Sequence, residues 1–178
     1  MIKSIIFDLD GVLVDTKAVH ANTFILAVKH THGVTIEPDF HSKYLCGLST
    51  KKKIEKLIQM GVIDSDHSIW KTKQSLSEQQ VKSLTKTHIY DVLRTLSLSY
   101  SLYCCSNATM KTVTQSLYSS KLTPFIKRWY SNECVSAIKP APDMYLKAIH
   151  DSGYKNTETL IVEDSDIGIK AAELSGAH

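Results

Sequence analysis

No stretch of this 178-residue chain approaches the roughly 20 consecutive apolar residues that a membrane-spanning helix requires; residues 24–28 are typical of its longest apolar runs. The sequence therefore predicts no transmembrane helix and no membrane partner. The N-terminus Met1-Ile2-Lys3-Ser4-Ile5-Ile6-Phe7 meets Asp8 before the apolar segment of about 7 to 15 residues that a secretory signal needs. Neither sign of charge dominates. The balance of 21 Lys+Arg against 18 Asp+Glu, a net of +3, is too small to draw nucleic acid by long-range attraction, though it leaves room for a local anion site. Cysteine is sparse and unpatterned: Cys46, Cys104, Cys105 and Cys134 make no C-x-x-C pair and no zinc spacing with histidine. They are expected to be reduced, mostly buried thiols of a cytoplasmic protein. Repeats and low-complexity tracts are also missing. What remains, 43% hydrophobic and 22% charged, can bury a core and fits one domain or one with a modest insertion.

Ser4-Ile5-Ile6-Phe7 is a short apolar run ending in Asp8-Leu9-Asp10-Gly11, the pattern of a buried strand meeting a turn. From about Asp15 to Lys86 the texture is helical. Ala18, Ala21, Ile25 and Val28 recur near helical spacing before Gly33. Ser49 can cap a helix with Ile54, Leu57 and Ile58 on its apolar side and Gly61 after it, and a third helical stretch is predicted over 66–86. Alternation then resumes. Residues 102–105 read as a strand, 110–118 as a helix, 125–135 as an ambiguous stretch with a short strand near Trp129, 143–151 as a helix, 160–162 as a strand and 167–174 as a helix ending at Gly176. Strands separated by helices imply an α/β fold, a Rossmann-like parallel sheet core with an inserted α-helical cap. The boundaries are residues 1–14 and 90–178 for the core and 15–89 for the cap.

In such sheets ligands bind beyond the carboxyl ends of the strands. Three apolar runs lead there into Asp8-x-Asp10, Ser106-Asn107 and Glu163-Asp164, and Lys139 precedes Pro140 in a loop. Asp8 and Asp10, two apart in extended backbone, share a face. Bringing Glu163 and Asp164 to them concentrates negative charge that a cation would relieve, and an all-oxygen site with room for water and phosphate suits Mg²⁺ better than zinc. With the cation and Lys139 screening its charge, a carboxylate can attack a phosphoryl group and form an acyl-phosphate. Ser106 and the N–H groups leading to a helix near Thr109 would hold phosphate oxygens.

The segments Phe7-Asp8-Leu9-Asp10-Gly11-Val12-Leu13-Val14-Asp15-Thr16, Cys105-Ser106-Asn107-Ala108, Lys139-Pro140-Ala141-Pro142-Asp143 and Val162-Glu163-Asp164-Ser165 come in the order found in the haloacid dehalogenase-like hydrolases. The chain resembles the branch of that family containing small-molecule phosphatases and β-phosphoglucomutase. His20 and Leu45-Cys46-Gly47-Leu48-Ser49 look like cap features of the same branch. The resemblance implies that Asp8 is the nucleophile and a Mg²⁺ ligand. Asp10 would be the general acid and then base, its backbone carbonyl also on the metal. Ser106, Asn107 and Lys139 would bind the phosphoryl group, His20 the substrate, and Asp164 and Glu163 would complete the metal site. The helical cap would close over the substrate and exclude water.

Two departures stand out. Only residues 165–178 follow Asp164, where the family continues through at least one more strand, so either the sequence is shortened or the sheet has an unprotected edge. The position after Ser49, an arginine in β-phosphoglucomutase, is Thr50, which removes a guanidinium fork suited to a second phosphate. The favoured reading is a Mg²⁺-dependent phosphatase of a small phosphorylated metabolite, ahead of a sugar-phosphate mutase and of a non-catalytic phospho-ligand-binding protein. Asp166 is expected to cap the last helix, and Lys51, Lys52, Lys53 and Lys56 to form a solvated face.

Overall fold

The structure, a computed structural model, describes residues 1–46, 48–65, 68–81 and 89–178. In chain order, β1 (Ser4–Phe7) precedes α1 (Lys17–His32), α2 (Pro38–Tyr44), α3 (Thr50–Gln59) and α4 (Ile69–Val81). There follow α5 (Ile89–Leu96), β2 (Ser101–Cys105), α6 (Met110–Ser119), β3 (Ile126–Tyr130), α7 (Asp143–Ser152), β4 (Thr159–Val162) and α8 (Asp166–Ser175). The chain divides into two compact units, Met1–Asp15 with Lys82–His178, and Thr16–Val81.

The first unit is an α/β fold with a parallel sheet in the order β3-β2-β1-β4. β1 lies inside the sheet, and all four of its residues are buried. Its side chains alternate between two cores. Ile5 and Phe7 join Leu102, Cys104, Val113 and Leu117 on one face, whereas Ile6 joins Tyr103, Cys105, Tyr145 and Ala148 on the other. A strand covered on both faces has no solvent side, which explains its continuous apolar sequence. β3 stands at the edge, with Lys127 and Arg128 exposed and a register shift opposite Leu102 and Tyr103. At the other edge β4 is not bare, because the Ile161 N–H donates to the carbonyl of His178 and the His178 N–H to that of Thr159.

The second unit is helical. Phe24, Ala27 and Val28 on α1 pack with Leu45, Ile54, Leu57 and Ile69, while Thr23 Oγ1 meets Ser77 Oγ of α4 at 2.9 Å. Ser49 caps α3 by accepting the Lys52 N–H, as its sequence predicts, but Ile58 is exposed. Of the predicted third helix, 69–81 is α4, and residues 66–67 and 82–86 lie outside the described residues, as does Gly47. The cysteines are free. Cys104 and Cys105 are buried, but Cys46 is exposed and Cys134 half-buried, so burial holds for two of the four. Among the described residues no helix is long and apolar enough to cross a membrane.

Candidate active site

Three parallel strands stop at the carboxyl end of the sheet, and residues that follow them meet. Asp8 follows β1 and stays in register, its N–H donating to the Val162 carbonyl at 2.9 Å. Ser106 follows β2 and is buried, and its Oγ accepts the Ala108 N–H at 3.1 Å. Thr109 then caps α6. Glu163 and Asp164 follow β4.

Lys139 reaches the same end of the sheet from the loop before α7. Its ammonium has three donors, and all three are used: Asp8 Oδ1 at 2.6 Å, Glu163 Oε1 at 2.6 Å and the Cys105 carbonyl at 2.9 Å. The ring of Tyr145 lies 4.7 Å from Lys139 Nζ, and its hydroxyl donates to Glu163 Oε1 at 3.1 Å. Lys139 is 4% exposed, deep enough that an ionised lysine needs this compensation. Burial works against its charge, but Asp8 and Glu163 win and raise its pKa.

Asn107 sets the height of that lysine. Its Nδ2 donates to the Lys139 carbonyl and its Oδ1 accepts the Lys139 N–H, each at 3.1 Å. Expected at the substrate, the amide makes its described hydrogen bonds to main chain instead. Glu163 is similarly committed. Besides Lys139 and Tyr145 on Oε1, its Oε2 accepts the N–H groups of Asp164 and Ser165 at 2.9 and 3.0 Å and the Ser165 hydroxyl at 3.0 Å. Burial opposes its charge, yet Lys139 and the Ser165 donors hold its carboxyl below the usual value.

Asp8 is pulled the other way. Burial raises its pKa, the charges of Glu163 and Asp10 add to this, Lys139 resists, and the result is about 7. Asp8, Glu163 and Asp164 each bring a carboxylate oxygen within 4.8 Å of the others. Several carboxylates facing one lysine leave an excess of negative charge, and an oxygen-only donor set fits a hard divalent cation. Two glycines make the approach feasible: a Cβ on Gly11, at φ +92°, would occupy the space of the Asp164 carboxylate, and one on Gly168 that of Glu163.

Of the predicted residues, Asp8, Lys139, Glu163 and Asp164 are thus brought together, Asp10 acts on Asp8 through its charge, and Ser106 adjoins them in the chain beside Cys105. His20 lies on α1 in the helical unit, its Nδ1 3.2 Å from Lys73 Nζ. Asp166 is not the cap of α8. Ser165 is, its hydroxyl accepting the Gly168 N–H while donating to Glu163, which leaves Asp166 as the first helical residue. Sequence reasoning missed Tyr145, and no motif marks it.

A family model described as haloacid dehalogenase-like hydrolase matches residues 5–178. The chain is similar to fructose-1-phosphate phosphatase YqaB of Escherichia coli, 23% identical over 175 residues and covering 97% of this chain and 92% of that protein. Its fold is similar to that of a conserved haloacid dehalogenase-like protein of Agrobacterium tumefaciens, with TM-score 0.85 and 22% identity over 100% of this chain and 81% of that one. A haloacid dehalogenase family hydrolase from Deinococcus radiodurans, solved with phosphate and sodium, superposes with TM-score 0.79 at 22% identity, covering 99% and 78%.

Proposed function

We propose that this chain, which belongs to the haloacid dehalogenase-like hydrolases, is a phosphatase that transfers the phosphoryl group of a small phosphorylated metabolite to Asp8 and then to water. The observation that carries this reading is the lysine held at 2.6 Å from both Asp8 and Glu163. It fixes the charge beside one carboxylate without leaving that carboxylate's second oxygen occupied by the same donor.

An Asp8 oxygen attacks phosphorus as the bond to the ester oxygen breaks, and Asp10 donates a proton to that leaving oxygen. Asp10 then takes a proton from water, whose oxygen attacks the phosphorus and releases Asp8. The N–H groups after Ser106 bind the phosphoryl oxygens where negative charge develops, and Lys139, its three donors already engaged, supplies a fixed positive charge beside Asp8. Asp8, Asp164 and the Asp10 carbonyl would hold Mg²⁺, with Glu163 positioning Lys139 and the Asp164-Ser165 turn. When bound, the cation screens the repulsion between the anionic attacker and the anionic ester. The similarity to a fructose-1-phosphate phosphatase favours sugar phosphates for the first assays.

Phosphate release from a panel of phosphorylated metabolites, with Mg²⁺ and with chelator, tests the proposal. Release that needs Mg²⁺ supports it. Isomer formation that needs a bisphosphate activator, without free phosphate, would replace it with the mutase reading, against which Thr50 already weighs.

A further inference from the structure

The helical unit buries a pair of basic side chains that the phosphoryl chemistry does not use. Lys53, at the start of α3, is 8% exposed, and His41, on α2, is 5% exposed. Lys53 Nζ lies 2.9 Å from His41 Nε2 and 5.3 Å from the centre of the Phe24 ring. This corrects the solvated face predicted for Lys53: only its neighbours Lys51 and Lys52 are exposed, with Lys56 half-buried.

Ionisable groups buried this far are ordinarily matched by opposite charge. Among the described residues, however, neither side chain contacts a carboxylate, and an ammonium with three donors makes one hydrogen bond, to another base. Burial lowers the pKa of Lys53, opposed only by the charge of Cys46 after α2, and burial together with Lys53 lowers that of His41. α3 itself adds to the imbalance. It carries Lys51, Lys52, Lys53 and Lys56 against Glu55, and its first turn, where the helix dipole favours acids, has none.

We propose that Lys53 and His41 form an oxyanion-binding site, taking a phosphate or carboxylate group on the unused N–H donors of Lys53, with proton uptake as the anion offsets the repulsion between the two bases. Both residues belong to the helical unit, and the proposal stands whether or not the phosphatase reading does.

The test is an NMR titration of the His41 ring in the full chain with chelator present, its resonance identified by His41→Gln. The probes are sulfate and, separately, a sugar bisphosphate, each against chloride at equal ionic strength. The expected result is a rise of about one unit in the apparent pKa of His41, as a nearby opposite charge gives, and no rise in Lys53→Met. Lys53→Gln, which retains a donor for His41 without charge, provides the same comparison if the methionine variant folds poorly. A response to sulfate assigns the site to free oxyanions; a response to the bisphosphate alone assigns it to an anionic group carried on a substrate. No response to either probe, or an equal response without Lys53, overturns the proposal.

Discussion

Lys139 Nζ and Asp8 Oδ1 stand 2.6 Å apart, although 131 residues separate them in the chain, and both side chains are buried. The pair is one half of a three-centre arrangement whose other carboxylate is Glu163, so removing the ammonium leaves two buried carboxylates facing each other. Lys139→Met is expected to lose about 3–5 kcal/mol of stability at pH 8, the usual result of stripping one partner from a buried ion pair. Denaturant unfolding measures it. Lys139→Arg is expected to restore little, because a planar fork cannot meet three acceptors arranged around a single nitrogen.

The Asp8 pKa of about 7 gives a pH dependence of definite sign. The folded state holds this proton more tightly than the unfolded chain, so its stabilising effect is present at low pH and lost as pH rises through about 7. Glu163, with its pKa lowered, acts in the opposite sense and only in the acid range. Metal-free protein is therefore expected to lose up to about 4 kcal/mol between roughly pH 3 and pH 8 from this group. Asp8→Asn should be without that loss. Unfolding curves of both proteins across the range make the comparison.

Gly168→Ala sets two effects against each other. Alanine in a helix gains about 1 kcal/mol over glycine. Here its Cβ would take the space of the Glu163 carboxylate, which carries five hydrogen bonds. The displacement should win, with a net loss of about 1–3 kcal/mol by unfolding and a fall in phosphate release.

Divalent cation is expected to stabilise the protein at pH 8, by about 2.7 kcal/mol when its concentration is 100 times the dissociation constant. Thermal shift with Mg²⁺ should show this, and Asp164→Asn should remove most of it. The effect should shrink below pH 7, where the proton on Asp8 competes with the cation.

Strands β1, β2 and β4 were legible because each is an apolar run cut off by a polar residue with work to do: Phe7 by Asp8, Cys105 by Ser106, Val162 by Glu163. β3 was ambiguous for a reason visible in its position. As an edge strand it exposes Lys127 and Arg128 and shifts register against β2, which blurs its alternation. Helices α2 and α5, of 7 and 8 residues, are too short to impose a clear period. Within the site, the residue types and their order pointed to the cluster, but spacing says nothing about which carboxylate oxygens are already engaged. That Glu163 is bound by Lys139, Tyr145 and the Ser165 turn, and that Asn107 grips main chain, depends on loops whose paths the sequence does not specify. Lys53 was hidden by its neighbours, since a run of lysines reads as solvent-facing until α2 and Phe24 cover one of them.

The most direct measurement is mass spectrometry of the chain quenched in acid during turnover of a phosphomonoester with Mg²⁺, followed by mapping of any adduct. One added phosphoryl group on the peptide containing Asp8, absent from Asp8→Asn along with phosphate release, is the expected result. Turnover that persists in Asp8→Asn, or a phosphoryl group mapped to another residue, would contradict the assignment of Asp8 as the phosphoryl acceptor.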